Sequence, residues 1–270
     1  MLNKKINILF IGDIFAQPGI ETVAKHIQSI KDKYNIDFTI AQAENVSDRK
    51  GFIKRDYDVL KSLGIDVFTL GNHVWAQEGI FEIINNEDVI RPLNIANSYT
   101  GHGSNIFRLN NGISIRVTSL MGIAFNKLLR PWKHESADNF FDAADFVVEH
   151  SEKADFHFID FHGETTSEKV VLALYLDGKV DAVCGTHTHV QTNDARVLPK
   201  GTCFISDAGM VGPYNSAIGA NFQQVYEHMR YGAMSKFQIS DNECQFNAVV
   251  LELNTIEKHN NKIQAITILP

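Results

Sequence analysis

The stretch INILFIGDIFAQPGIETVAKHIQSIKDKYNIDFTIAQAEN, residues 6–45, decides the fold class of this chain. It opens with a continuous apolar run, 6–13, that ends in Gly-Asp, and it closes with a second run, 37–45. Between them, residues 18–34 carry apolar side chains at helical spacing, and Pro18 suits the first turn of a helix. A strand, a helix and a strand in this order predict two parallel strands with the helix packed across one face of their sheet.

The same alternation continues outward from this unit. Its elements are a helix at 53–64, a strand at 65–73, a hairpin at 104–120, a helix at 137–150, a strand at 155–164, a helix at 166–178 and a strand at 180–185. From residue 196 onward the pattern is mainly strands, which we place at 202–209, 231–240, 246–254 and 262–269. We expect one α/β domain over residues 1–270, with a second, mixed sheet.

Composition limits the classes of function. The chain has 270 residues, of which 44% are hydrophobic and 21% charged, with a net charge of −7. An acidic protein is poorly suited to bind long nucleic acids directly, because it would have to neutralise phosphates, whereas a small anionic substrate remains compatible. The cysteines, Cys184, Cys203 and Cys244, lack CxxC spacing, so neither a disulfide framework nor a thiolate zinc site is expected. No stretch is long enough to span a bilayer, and we expect a cytoplasmic protein without membrane association.

Polar residues that can bind metals stand at the ends of the predicted strands. They are Asp13, Glu44 and Asn45, Asn72 and His73, His162, and the pair His187 and His189. In open α/β sheets the carboxyl ends of the strands form the binding edge, so residues far apart in sequence can meet there. Each motif alone has an ordinary structural explanation, such as a turn or a hydrogen-bonded histidine. Their joint occurrence predicts a shared metal centre.

The residue types also indicate the metal and the chemistry. Oxygen and imidazole ligands without thiolate suit iron, manganese or zinc rather than a structural zinc site. The candidates are too many for one ion, and two ions sharing one carboxylate would use them well. Such a pair can hold a phosphoryl group and convert a bridging water to a hydroxide nucleophile. The leaving oxygen then needs a proton, for which His73 is the candidate general acid.

These motifs resemble those of the calcineurin-like metallophosphoesterases. GDIF, QAEN, GNHV, FHGE and GTHTH follow one another in the order of that family's motifs. Two positions depart from the common pattern, since Phe15 replaces a histidine and Glu44-Asn45 replaces the usual bridging aspartate motif. Both departures are shared with the YmdB-like branch, which GDIFAQPG, QAENVSDRKG, LGNHVW and SDAGMVGPYNSAIG also resemble.

The resemblance implies a four-layer α/β/β/α sandwich of two mixed sheets flanked by helices. It implies a phosphodiesterase of 2′,3′-cyclic nucleotides, of the cyclic AMP and cyclic GMP type, with two transition-metal ions, iron first and manganese or zinc as alternatives. It also implies the ligand sets: Asp13, Asn45 and His189 for one ion, Asn72, His162 and His187 for the other, Glu44 bridging them, and His73 as the acid.

Other functions remain open from the sequence. The same metal centre could serve a phosphomonoesterase or a phosphoprotein phosphatase, or the chain could be a regulatory partner in RNA turnover whose catalysis is secondary. The glycine-rich segment 206–220 could bind an anion or be an ordinary loop. The apolar segment 120–132 could flank a substrate base or form a contact within a homo-oligomer.

Overall fold

The computed structural model describes residues 3–234 and 236–270. The strands are β1 (Lys5–Ile11), β2 (Asp13–Ile14), β3 (Phe38–Gln42), β4 (Val67–Thr69), β5 (Val89–Ile90), β6 (Ser104–Arg108), β7 (Ser114–Met121), β8 (Phe156–His162), β9 (Ala182–Thr186), β10 (Arg196–Val197), β11 (Cys203–Ile205), β12 (Met210–Pro213), β13 (Cys244–Asn254) and β14 (Lys262–Ile268). The α-helices are α1 (Ala16–Tyr34), α2 (Lys54–Ser62), α3 (Phe140–His150), α4 (Thr166–Leu176) and α5 (Phe222–Tyr231), and short 3₁₀ helices cover Glu78–Glu82 and Lys258–Asn260.

Two mixed sheets form the centre of the fold. The first has the order β2-β12-β13-β1-β3-β4-β5, with β14 also paired to β13, and the second has the order β10-β11-β9-β8-β7-β6. In the first sheet β1, β3, β4 and β5 run parallel, and in the second β7, β8, β9 and β11 do. The carboxyl ends of these strands therefore lie at one edge of each sheet.

Alternating side chains on the central strands supply the layers. In β1, Ile8 and Phe10 belong to the cluster between the sheets, whereas Leu9 and Ile11 pack with α1 on the outer face. In β8, Phe158 faces the first sheet and Phe161 joins the cluster under α3 and α4. Because both faces of both sheets are buried, the arrangement is a four-layer α/β/β/α sandwich, which confirms the expected fold class.

The final third of the chain departs from the predicted strands. Residues 222–231 form α5, which the sequence pattern missed, and 231–240 is not a strand apart from an isolated bridge at Ile239; Ser235 lies outside the described residues. No residue of α5 is buried, although its apolar residues Phe222, Val225 and Met229 stand at helical spacing. Its end signals were present: Asn221 caps the first turn through Gln224 N, and Gly232, at φ +69°, ends the helix.

Candidate metal centre

The strand-end residues meet where the two sheets adjoin. Asp13 lies in β2, Glu44 and Asn45 follow β3, and Asn72 and His73 follow β4 in the first sheet. From the second sheet, His162 ends β8, and His187 and His189 follow β9. Gly71 allows the segments that carry Glu44, Asn72 and His162 to come close together. A Cβ at position 71 would lie 2.2 Å from His162 Cδ2 and 2.5 Å from Glu44 Oε2. Only glycine allows this approach without displacing the side chains of the centre.

One cluster contains Asp13, Asn45 and His189, all of them buried. Asn45 Nδ2 lies 3.2 Å from Asp13 Oδ1 and 3.2 Å from His189 Nε2. The other ring nitrogen of His189, Nδ1, lies 3.1 Å from the backbone oxygen of Ile218, which fixes the ring with Nε2 toward the carboxylate. Phe15, where the common motif has histidine, packs edge-on against His189 with ring centroids 5.7 Å apart.

A second cluster contains Asn72, His162 and His187. His162 Nε2 lies 2.9 Å from Asn72 Oδ1 and 2.9 Å from His187 Nδ1. The far nitrogen of His162, Nδ1, faces Thr186 Oγ1 at 3.0 Å and Gln42 Nε2 at 3.1 Å. His162 thus points Nε2 into the cluster, while its Nδ1 contacts residues outside the cluster that fix the orientation of the ring.

Glu44 lies between the two clusters and is 1% exposed. Its Oε1 is 3.1 Å from His162 Nε2 in one cluster and 3.5 Å from Asn45 Nδ2 in the other. Ligand atoms of Glu44, His162 and His187 all fall within 4.8 Å of one another. A carboxylate in this position can contact both clusters, which is the geometry that a bridging ligand requires.

His73 adjoins the same carboxylate but remains partly exposed, at 26% of its side chain. Its backbone N–H donates to Glu44 Oε2 at 2.9 Å, and its Nδ1 lies 3.0 Å from Glu44 Oε1. Nδ1 is also 2.9 Å from Asn45 Oδ1. The ring is therefore oriented through Nδ1, beside both clusters and open to solvent.

A buried ion pair between Lys169 and Asp207 stabilises the turn that carries His187 and His189. His187 has φ +106° and His189 has φ +64°, a region that non-glycine residues seldom occupy. Between them, Thr188 donates to Asp207 Oδ2 through its backbone N at 3.0 Å and its Oγ1 at 2.8 Å. Lys169 Nζ donates to the same oxygen at 2.8 Å, and both charged side chains are 1% exposed. These contacts stabilise an otherwise unfavourable backbone.

Several residues that support the centre were not predicted. Thr186 Oγ1 donates to Asp160 Oδ1 at 2.7 Å, so Asp160 is connected to His162 by hydrogen bonds through Thr186. Glu164 Oε2 lies 2.9 Å from His187 Nε2. A signal for Asp160 was present in the sequence, since an acidic residue inside the apolar strand FIDFH needs a buried partner. Glu164 stands in a polar loop, where nothing distinguishes it from an ordinary surface charge.

Burial and the mutual contacts set the charges of the centre. Burial would raise the pKa of Glu44, but the neighbouring His162 and His73 hold that pKa well below its usual range. Burial would lower the pKa of His162, but the Glu44 carboxylate raises it to about 9. Burial, together with the charge of His162, lowers the pKa of His187 to about 3, and burial raises the pKa of Asp160 to about 7. His187 is therefore neutral at pH 7, which is the protonation state in which a histidine can bind a metal.

The donor set fits transition-metal ions. The converging atoms are carboxylate and amide oxygens and imidazole nitrogens, whereas Cys184 and Cys203 lie in the core between the sheets. The inward nitrogens of His162 and His187 lie 2.9 Å apart, and a bound cation would take the place of the proton that the raised pKa of His162 keeps there in the metal-free protein. Asn45 presents its Nδ2 to Asp13 and His189, so coordination through its oxygen requires the amide to turn over.

The segment 206–220 is partly regular structure. It contains β12, and its Ser216 Oγ donates to Pro213 O at 2.6 Å and accepts from Gly219 N at 2.8 Å. The hydroxyl of Ser216 thus closes a local turn. The contact of this segment with the centre is instead the backbone oxygen of Ile218 on His189.

The α/β/β/α sandwich, with candidate metal-binding side chains gathered at its strand ends, is that of the metallophosphoesterase-like phosphatases. A model of YmdB-like proteins matches residues 9–266, and the chain belongs to that family. It is 36% identical over 264 residues to the 2′,3′-cyclic-nucleotide 2′-phosphodiesterase of Bacillus subtilis, with 97% of each chain covered.

Two solved structures are similar over almost the whole chain. A crystal structure of a phosphatase from Mycoplasma pneumoniae has 34% identity and a TM-score of 0.88, covering 99% of this chain and 94% of that one. A hypothetical protein from Thermus thermophilus has 35% identity and a TM-score of 0.86, covering 98% of this chain and 100% of that one. Among the helices of the described residues, none has the length and apolar character needed to cross a bilayer.

Proposed function

We propose that this chain is a phosphodiesterase that hydrolyses small cyclic nucleotides, 2′,3′-cyclic AMP and cyclic GMP being the type, at a centre of two transition-metal ions. As a member of its family, the chain is a phosphoric ester hydrolase. The proposal of a centre with two metal ions rests on the position of Glu44 between two separate clusters of candidate ligand atoms. The Bacillus subtilis relative, named for this activity, supports the choice of substrate.

The proposed ligand sets follow the two clusters. Asp13, Asn45 and His189 would hold one ion, Asn72, His162 and His187 would hold the other, and Glu44 would contact both. Ions bound there would act as Lewis acids on the phosphoryl oxygens and would lower the pKa of a coordinated water. We propose iron as the metal, with manganese and zinc as alternatives, because carboxylate, amide and imidazole ligands suit all of them.

His73 is the proposed general acid. Its Nδ1 is engaged by Glu44 Oε1, so Nε2 is the nitrogen that remains to reach a substrate. A proton held at Nε2 would pass to the leaving alcohol oxygen as the phosphorus–oxygen bond breaks. The partial exposure of the ring allows the proton to be replaced from solvent after each turnover.

Hydrolysis of 2′,3′-cyclic AMP, together with elemental analysis of the purified protein, tests this proposal. We expect turnover, two equivalents of transition metal per chain, and a loss of both in Glu44→Gln. Glu252→Gln is the matched control, because Glu252 lies on the surface of β13 in an ion pair with Lys262. Full activity in Glu44→Gln, or wild-type protein that fails to act with any divalent metal, would contradict the proposal.

A phosphomonoesterase is the second candidate, because the similar Mycoplasma pneumoniae structure is of a protein described as a phosphatase. The same ions and the same acid would serve either reaction. Rates on 2′,3′-cyclic AMP and on a simple phosphate monoester, measured with one metal and one preparation, separate the two. A higher kcat/KM for the monoester would favour the second candidate.

A further inference from the structure

The segment 122–132, which we call the border segment, is tied at both ends to candidate ligands of one ion. Its first residue, Gly122, donates its N–H to the backbone oxygen of His162 at 2.9 Å. Its last residue, Trp132, donates Nε1 to the backbone oxygen of Asn72 at 2.7 Å. His162 and Asn72 belong to the same cluster of ligand atoms. The border segment therefore runs along the edge of the candidate centre.

Phe125, in this segment, combines exposure with an unfavourable backbone. It is 91% exposed and has φ +54°, a conformation that is rare for a bulky residue. Its backbone is nevertheless held on both sides, because Ile123 N and Ala124 N each donate to Glu168 Oε1 at 2.9 Å and Asn126 Nδ2 donates to Gly122 O at 3.2 Å. Packing of Phe125 itself does not account for this conformation, and such strain clusters at functional sites.

Phe125 is close in sequence to Gly122, which is bonded to the backbone of the candidate ligand His162. Phe125 is three positions along the chain from Gly122, which gives an upper limit of about 11 Å between the two Cα atoms. The side-chain bond from Asn126 to Gly122 closes the turn, so the actual separation is shorter. Phe125 therefore lies close to the junction of the border segment with His162.

We propose that the ring of Phe125 is the stacking surface for the base of the nucleotide that the centre binds. This inference rests on the proposed function, since it places the phosphate at the two clusters. A flat ring without hydrogen-bonding groups favours any nucleotide over a base-free sugar phosphate and discriminates weakly among bases. Leu129, in the same segment, is also exposed, at 70%. These few side chains are too small a surface for a stable contact between copies, which buries at least about 1,200 Å².

Equilibrium binding of adenosine 3′-monophosphate and of methyl riboside 3-phosphate, its base-free counterpart, tests the inference without requiring turnover. Binding is measured calorimetrically on the full chain in the presence of Mn²⁺. We expect the wild-type protein to bind the nucleotide about 5- to 100-fold more tightly, as base–aromatic stacking predicts. In Phe125→Ala the ratio should fall to near one, whereas Phe125→Trp should keep it.

Phe146→Ala is the matched control, because Phe146 is an exposed aromatic residue on α3, where it stacks on His150. It should leave the binding ratio unchanged. A wild-type ratio near one, or an unchanged ratio in Phe125→Ala, would overturn the inference. If Phe125→Ala keeps the wild-type binding ratio but loses self-association in sedimentation, Phe125 instead forms a contact between copies of the chain, and the inference is overturned. Wild-type protein that keeps the binding ratio but fails to hydrolyse 2′,3′-cyclic AMP would reject the proposed function alone.

Discussion

Replacing Asp207 by asparagine should reduce both the stability and the metal affinity of the protein. Asp207 lies beneath the turn that carries His187 and His189, and its carboxylate accepts four hydrogen bonds. Three reach Oδ2, from Lys169 Nζ at 2.8 Å, Thr188 N at 3.0 Å and Thr188 Oγ1 at 2.8 Å, and one reaches Oδ1, from Gly209 N at 2.9 Å. Asparagine keeps the shape of the side chain but removes its charge.

The size of the effect follows from burial. Lys169 is 1% exposed, so the substitution leaves an ammonium group in the interior without a counter-charge. Breaking a buried pair in this way costs about 3–5 kcal/mol, which for a chain of this size lowers Tm by roughly 10 °C. The double variant Lys169→Met, Asp207→Asn removes both charges in nearly the same volume. It should lose no more than about 1–2 kcal/mol, because a buried pair replaced as a unit is often close to neutral.

Metal affinity should respond differently from stability. Loss of the carboxylate loosens Thr188 in both variants, so both should bind metal about 10- to 100-fold more weakly in chelator competition, as is usual when residues behind metal ligands are changed. Asp155→Asn is the control, since Asp155 pairs with Lys4 at 2.7 Å, near the start of β8 and far from the centre in the strand direction. Wild-type metal affinity in Asp207→Asn would refute the reasoning, as would a double variant no more stable than the single one.

Glu164→Gln should weaken metal binding about tenfold in chelator competition, because the charge behind His187 Nε2 is lost, and Glu152→Gln, a change at an exposed ion pair, should not. His73→Gln should lower kcat by about 10²–10⁴ while elemental analysis finds the metal content unchanged; loss of the metal would instead make His73 a ligand. In the metal-free protein the pKa of His162 is raised from 6.5 to about 9, so the folded state binds more protons than the unfolded state within that range. The free energy of unfolding, measured with urea and a chelator, should therefore fall from pH 6.5 to 9 and fall less when metal is bound, and a rise would contradict this.

The residues of the candidate centre could be predicted because they stand at the ends of apolar runs in the sequence. Apolar runs ending in Asp13, Glu44, Asn72 or His162 mark the carboxyl ends of parallel strands, and such ends meet at one edge whatever the loops between them do. The short spacing of His187 and His189 placed both on one turn. Local pattern and a general rule of sheets were therefore sufficient to bring these residues together.

The supporting residues could not be predicted in this way. Lys169 lies on α4 and Asp207 follows β11, and only the packing of that helix against the second sheet brings them together. A lysine in an amphipathic helix normally reaches solvent, so its pattern carries no sign of burial. The helix α5 is a different case, because both its caps and its apolar residues at helical spacing, Phe222, Val225 and Met229, could be read from the sequence.

The proposed ligands of each ion come from both sheets. Asp13 and Asn45 belong to the first sheet and His189 to the second, whereas Asn72 comes from the first sheet and His162 and His187 from the second. Metal binding would therefore join the two halves of the sandwich at one rim, and saturation of the ions would add their binding free energy to the cohesion of the whole domain. Metal starvation would then act on this enzyme twice, by stopping turnover and by exposing the rim between its sheets to proteases.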